Sequence, residues 1–419
     1  MVNPPIYDFA AFDFWLKPLG LLYLSSIAKE NKIEVLLLDC LDRFDEFFPD
    51  TKVDKYGRGK FYSRIIEKPE ILKNVPRNFK RYGLPEREIE RRIRSIMPDI
   101  VFVTATMTYW YLGAVEILNT VKKIDKMIPV FLGGVYPSLT EKHASTLGFD
   151  EVIPINKLDR LKEILGLRMP SKFVNYPLPD YSHYKKLRYV VTTTSLGCPF
   201  RCTYCASYIL HSKLDQKPVD AVIDEVLWYY KTGMKDIAFY DDALLYPPER
   251  FLAIFEGLLK KNVKMRFHTP NGLHARFIDG EIAKVMIKAK FIEPRISLET
   301  INKKILRQTG NKLTPGDFER AVKSLVNAGY TNEEIIAYTM YGIPGQTVQD
   351  VVDTFNLLKG MGLKIYLSEF SPVPGTIYYS LSDPLLSNNS AYLYYVGKGD
   401  KLEKLKRMKN SINEGLENN

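Results

Sequence analysis

Residues 190–205 read VVTTTSLGCPFRCTYC, a β-branched run followed at once by three cysteines, Cys198, Cys202 and Cys205, within eight residues. The run has the composition of a buried strand. Three thiolates this close on one loop can hold three corners of a [4Fe–4S] cluster, and with no fourth cysteine nearby one iron stays open to a substrate. An open iron gives the loop catalytic character beyond electron carriage. A structural zinc site is the competing reading. Zinc usually takes four ligands, and His211 is the available fourth.

Working outward from that run, strand-like segments begin near Val190, Ile237, Met265, Ile292, Ile335 and Leu363, with helical patterns at 218–230, 282–289, 317–328 and 348–361 between them. This is six β/α units over 188–375, a partial (β/α)6 TIM-like barrel two units short of a closed one. Reactive groups of such barrels sit on loops at the carboxyl ends of the strands. After the cysteine loop, those ends carry Asp241-Asp242, then His268 and Asn271, then Ser297-Leu298-Glu299, Gly342-Ile343-Pro344-Gly345-Gln346-Thr347, and Ser371-Pro372. Polar groups converging on one rim beside a cluster suit a polar cofactor. Asp241-Asp242 can also simply cap the following helix, Glu299 can be a buried salt-bridge partner, and His268 and His274 read as structural.

Upstream, residues 1–155 alternate helical spacing at 21–28 and 112–124 with strand-like runs at 33–38, 100–104 and 130–133, the pattern of a doubly wound, Rossmann-like α/β sheet. Residues 41–95, charged and Pro-punctuated, read as an insertion. Residues 156–187, with Pro170, Pro177 and Pro179, read as a linker, and 376–419 as a helical extension.

The barrel region resembles the radical S-adenosylmethionine (radical SAM) enzymes, through the Cys-x3-Cys-x-aromatic-Cys motif with Tyr204 as its aromatic residue. The resemblance implies that the open iron is chelated by the amine and carboxylate of S-adenosyl-L-methionine. It further implies reductive cleavage to a 5′-deoxyadenosyl radical, with an electron supplied by a reducing partner such as flavodoxin or ferredoxin. On the same resemblance, Asp241 and Asp242 stand where a Gly-Gly-Glu-type element contacts the methionine amine. Glu299, with Asn271 and Ser297, stands among the polar residues near the ribose, and Gly342, Ile343 and Gly345 form a strand-five element that approaches adenine. The amino-terminal region resembles a cobalamin-binding domain through Pro4-Pro5, the helix entry Pro18-Leu19-Gly20, Thr104-Ala105-Thr106 and Gly133-Gly134, which makes Thr104, Thr106, Gly133 and Gly134 candidate cobalamin contacts. It lacks the Asp-x-His-x-x-Gly segment whose histidine ligates cobalt in many such domains. With cobalamin, methyl transfer is the leading reaction; without it, radical rearrangement or oxidation stands equally open.

Composition bounds these readings. The 419 residues are 46% hydrophobic, enough for two or three packed domains. No apolar run reaches membrane-span length and the opening Met1-Val2-Asn3-Pro4-Pro5 has no secretory-leader pattern. Four cysteines in so long a chain make no disulfide framework, and an oxygen-sensitive cluster needs a reducing compartment, so the expected location is the cytoplasm. The net charge of +10 is partly local: residues 56–95 hold twelve Lys/Arg against five Glu, interleaved with Tyr56, Phe61, Tyr62, Phe79 and Tyr82. That stretch suits either a nucleic-acid surface or a solvated helical face with ordinary apolar anchors. The alternative from another class is a non-catalytic iron–sulfur protein that carries electrons or binds RNA.

Overall fold

The computed structural model describes residues 1–48 and 51–417; Pro49 and Asp50 of the expected insertion and Asn418 and Asn419 of the expected extension lie outside them. Two compact units form, Met1–Leu187 with Leu381–Asn388, and Arg188–Ser380 with Asn389–Asn419.

In the first unit, five parallel strands, Val2–Asn3, Leu38–Asp39, Val101–Thr104, Val130–Gly133 and Glu151–Ile153, lie in the order second, first, third, fourth, fifth. This is the doubly wound order whose reversal falls between the first and third strands. Val101, Val103, Val130 and Leu132 are at most 2% exposed, as expected for strands covered on both faces. Two strands escaped the sequence pattern. Val2–Asn3 is only two residues long before Pro4 and Pro5 stop it, and Glu151–Ile153 is a three-residue edge strand. The expected strand at 33–38 pairs only over Leu38–Asp39.

The insertion builds small antiparallel additions on this sheet: Lys80–Tyr82 pairs with Ile6–Asp8 and Ser63–Ile65, and Gly59–Lys60 pairs with Phe12–Asp13. Its aromatic residues Tyr56, Phe61, Phe79 and Tyr82 are buried, while Tyr62 is exposed. Many of its cations are spent inside the unit, Arg81 on Glu116, Arg92 on Asp45 and Glu88, and Arg94 on Glu90. Residues 156–187 are not a free linker. Leu161, Leu167, Phe173 and Tyr181 are buried, and Asp180 accepts from the Ser25 hydroxyl at 2.7 Å and pairs with Lys29 at 2.6 Å. Leu381–Asn388, expected as part of a terminal extension, also belongs here: Asn388 Nδ2 donates to Asp8 at 2.8 Å.

The second unit contains six parallel barrel strands, Val190–Thr192, Asp236–Phe239, Arg266–His268, Arg295–Glu299, Ile336–Tyr341 and Lys364–Glu369, each starting within three residues of its expected position. They form two sheets, the first three strands in one and the last three, led by the short strand Leu273–His274, in the other. Alternation sets the faces. Ile237, Phe239, Ile296, Leu298, Ala337 and Tyr341 are at most 1% exposed, whereas Glu299, Tyr338 and Met340 are only half-buried. Helices Pro315–Ala328 and Val348–Gly360 start at capping boxes made by Thr314 with Asp317 and Thr347 with Asp350. The edge strand Lys364–Glu369 is covered by helix Gly399–Glu417: the Asn413 side chain accepts from Ile365 N and donates to Ile365 O, both at 3.0 Å, standing in for a strand neighbour. Among the described residues no helix is long and apolar enough to cross a membrane.

Candidate active site

The cysteine loop is clamped at its base. Ser195–Leu196 pairs antiparallel with Asp215–Gln216, so the intervening chain leaves and returns at one point. Gly197 turns it with φ 84°, and a Cβ there would lie 2.7 Å from the Lys213 carbonyl, which makes glycine obligatory. Within the loop Cys205 N donates to Cys202 O at 3.0 Å. All three cysteines are free thiols, Cys202 buried, Cys198 and Cys205 half-buried. Burial, and then the neighbouring Asp242 and the other two cysteines, push the Cys198 thiol up to about 11; burial likewise raises Cys202. Among the described residues the Cys, His, Asp and Glu side chains form no closed group of three or more at metal-binding geometry. Three cysteine sulfurs carried by one loop are the donors that a cluster with one open iron takes. The donor set therefore fits a cluster.

The strand ends bring the expected partners to this loop from two sides. On one side the Ser207 hydroxyl lies 3.2 Å from Cys205 Sγ and, from beside Asp242, favours that residue's ionised carboxylate. Asp242 is exposed by surface area, yet burial is the largest influence on its carboxyl and raises it, with Asp241 adding to the rise. A carboxylate on the wall of a concave opening has both properties.

On the other side Tyr204 stands beside Glu299 and Cys202, whose charges, after burial, push its hydroxyl well up. Glu299 stands at φ 66° on an irregular register with the fifth strand. Strain of this kind is of order 1–3 kcal/mol and concentrates at functional positions. Burial raises its carboxyl against the opposing pull of Lys312, whose Nζ is 3.8 Å away.

The remaining expected residues divide by what they touch. Asp241 is 3% exposed and its carboxylate accepts from Thr194 N, Thr194 Oγ1 and Ser195 Oγ, so it ties the first strand end to the second. Asn271 Nδ2 donates to the Tyr240 carbonyl at 2.8 Å, joining the second and third strand ends. Ser297 is buried, its Oγ 3.1 Å from where a Gly272 Cβ would be. At Gly342 the backbone turns with φ 106°, a conformation that favours glycine, and a Cβ would fall 2.4 Å from Leu393 Cδ2. Ile343 is fully buried with Ile305 and Phe370, the cluster against which Tyr204 packs. Gly345 borders Gln308, whose Nε2 donates to Pro344 O and whose carbonyl accepts from Thr203 of the cysteine loop. His268 pairs with Asp236 at 2.8 Å. Ser207 and Lys312 were not legible in advance: Ser207 lies two residues past the motif, and Lys312 lies in a loop after a short helix with no motif around it.

In the first unit, a small recess of about 10 Å³ lies at the switch point between the first and third strands, lined by Asn3, Pro4, Pro5, Lys17, Thr104 and Thr106 among others. Gly133 and Gly134 do not line it; Gly134, φ 100°, packs so closely that a Cβ would meet Thr104 Oγ1 at 2.7 Å. Lys17 is held at the recess by Asp42 at 3.3 Å and Asp39 at 4.0 Å. His143 gives Nδ1 to a 2.5 Å hydrogen bond with the Tyr136 hydroxyl.

Residues 192–358 match the model of the radical SAM superfamily. An uncharacterized methyltransferase of Pyrococcus horikoshii is 26% identical over 330 residues, 69% of this chain and 70% of that protein. The radical S-adenosylmethionine methyltransferase TsrM of Kitasatospora setae, solved with tryptophan and a SAM analogue, superposes with a TM-score of 0.66 over 96% of this chain and 88% of its own at 14% identity. The cobalamin-dependent radical enzyme OxsB, solved with aqua-cobalamin and S-adenosylmethionine, superposes with a TM-score of 0.57 over 93% of this chain and 54% of its own at 15% identity. The chain thus carries a radical SAM domain, within an architecture that it shares with TsrM and OxsB.

Proposed function

We propose that this protein is a cobalamin-dependent radical SAM methyltransferase. The observation that carries the reading is the convergence on one loop of three thiols with Asp242, through Ser207, and Glu299, through Tyr204. When bound, a [4Fe–4S] cluster supplies the electron that cleaves the sulfonium, and cobalamin supplies methyl-transfer chemistry. Cys198, Cys202 and Cys205 are the cluster ligands. Asp242 is the carboxylate for the methionine ammonium, a charge-assisted contact. Glu299, held by Tyr204 and Lys312, accepts from ribose hydroxyls, and the backbone around Ile343 and Gly345 lies along adenine. Asp241 keeps the first two strand ends in register. Asn271 and Ser297 border the same rim.

Support for cobalamin comes from the doubly wound strand order, whose switch point is where ligands of such sheets bind. The cobalamin bound by the fold relative OxsB agrees with it. Thr104 and Thr106 are the contacts we assign. The test is anaerobic reconstitution with iron, sulfide and hydroxocobalamin, followed by analysis of S-adenosylmethionine turnover. Formation of 5′-deoxyadenosine or S-adenosylhomocysteine on reduction supports the reading, and a protein that binds a cluster yet consumes no S-adenosylmethionine excludes it.

A further inference from the structure

We propose that a cavity at the amino-terminal edge of the first unit's sheet binds a small apolar amine, a compact hydrocarbon body carrying one ammonium group. The cavity has a volume of about 340 Å³, inside the range of about 300–1,000 Å³ that small-molecule sites occupy. It is lined by the first residues of three strands, Val2, Leu38 and Val101, whereas the switch-point recess lies at the strands' carboxyl ends. The two are on opposite edges of one sheet. The walls come from a strand that does not form along its whole length. The run 33–38 has the composition of a buried strand but pairs only over Leu38–Asp39, and Ile33, Val35 and Leu36 are left to line the cavity. Helix Glu86–Ile96 ends at Met97, whose left-handed φ of 46° is the conformation glycine usually supplies at a helix C-terminus. Met97 is 54% exposed, Leu36 50% and Ile96 40%, and all three line the cavity. Large apolar side chains gathered at one exposed mouth mark a binding site.

The charge around the cavity selects the ligand's charge. Every lining side chain is apolar except Glu34 and Asp99, and none is Lys, Arg or His. Both carboxylates are exposed, and among the described residues neither is paired with a cation. Two helices also bring their last turns here, Leu19–Glu30 through Ala28 and Glu86–Ile96 through Ile93 and Ile96. The carboxyl end of a helix carries about half a negative charge on its unpaired carbonyls and favours a cation. The basic residues of those two turns are engaged elsewhere, Lys29 with Asp180 at 2.6 Å and Arg94 with Glu90 at 2.8 Å. The Met1 amine donates to the Leu36 carbonyl at 2.7 Å, and burial lowers its pKa to about 6, so it is mostly uncharged at neutral pH. An apolar body fills the walls while its ammonium stays at the wet rim beside Glu34 and Asp99, which spares the charge the cost of burial. A carboxylate ligand would meet the same rim with the wrong sign.

The test titrates the full chain with three probes of one shape, 1-adamantylamine, 1-adamantanol and adamantane-1-carboxylate, by calorimetry at neutral pH and low salt. We expect the amine to bind about fivefold more tightly than the alcohol, and the carboxylate more weakly than either. In Glu34→Gln/Asp99→Asn the amine should lose most of that advantage while the alcohol binds as before, and added salt should have the same effect on the parent. If the double variant melts below the parent, Ile96→Lys at the exposed mouth carries the test, reversing the order so that the carboxylate binds more tightly than the amine. Absence of saturable binding by all three probes overturns the site. Equal affinity of the parent for amine and carboxylate overturns the assignment of an amine. Neither result bears on the cluster, whose cysteines belong to the other unit.

Discussion

Thr194 donates to the Asp241 carboxylate twice, through its amide at 2.9 Å and its hydroxyl at 2.6 Å. Ser195 adds a third bond at 2.8 Å, and the Arg250 guanidinium holds the Thr194 hydroxyl and carbonyl from outside, each at 3.0 Å. Two adjacent carboxylates are thereby separated in role. Asp241 is consumed by the fold at the root of the cysteine loop, while Asp242 stays available to a ligand.

That separation predicts opposite phenotypes. Asp241→Ala leaves buried donors without an acceptor and should cost about 3 kcal/mol or more of stability, seen as a lowered melting temperature. Asp242→Asn should melt within a few degrees of the parent and weaken S-adenosylmethionine binding by roughly tenfold to 150-fold, the range of a lost charge-assisted hydrogen bond. Glu299→Gln should behave like Asp242→Asn. Titration of the cluster spectrum with S-adenosylmethionine checks both, and unchanged affinity in both would remove the proposed pocket.

Iron content discriminates among the cysteines. Cys198→Ala, Cys202→Ala and Cys205→Ala should each lose the cluster absorption, whereas Cys40→Ala should keep it, because Cys40 is fully buried in the first unit and its thiol is pushed well up by burial. Full loading in Cys202→Ala would refute the ligand assignment.

His274 predicts a pH-dependent stability. Its ring packs against Phe200 at 4.6 Å and Phe277 at 5.0 Å, and neither buried ring nitrogen has a hydrogen-bond partner. Burial, then Lys312 and Arg276, lowers its pKa from 6.5 to about 3. The unfolded chain therefore binds the proton more readily between those values, so stability is intact above pH 6.5 and falls as the pH drops toward 3. At about one and a half pH units below the unfolded value, the penalty is roughly 2 kcal/mol. Denaturation of the parent and His274→Phe at pH 7.5 and 5 should show the gap between them shifting in favour of the variant at the lower pH; a constant gap would exclude the effect.

Cobalt ligation follows from the histidines of the first unit. His143 has Nδ1 committed to Tyr136 and its ring edge-on to Tyr111 at 4.9 Å, and His183 is held by Ser25 and Asp180. Bound cobalamin should consequently show no imidazole ligand. Electron paramagnetic resonance of the Co(II) form is the measurement, and nitrogen superhyperfine splitting that vanishes in His143→Ala would contradict it.

The clamp between Asp8 and Asn388 can be read the same way. Asp8 also accepts from Phe9 N and Trp110 Nε1, so Asn388→Leu removes one of several donors and should cost about 1 kcal/mol. Asp8→Leu strands buried donors and should cost about 2–3 kcal/mol. Equal losses in calorimetry would show that the clamp has no such hierarchy.

What the sequence by itself determined is local and periodic. The spacing of Cys198, Cys202 and Cys205 is a property of consecutive residues, and the six barrel strands announced themselves because they alternate with helices long enough to show their own period. Short elements carried no such signal: Val2–Asn3, the central strand beside the switch point, has no room for an alternation, and its strand character comes from pairing with Leu38–Asp39 and with Val103. Only the tertiary structure decided which of two neighbouring aspartates the fold takes up, that Ser207 and Lys312 stand beside the expected residues, and that Leu381–Asn388 folds with residues nearly the whole chain length away. Those outcomes depend on partners distant in sequence. A side chain's local propensity is a weak term beside the burial and hydrogen bonding that such partners impose.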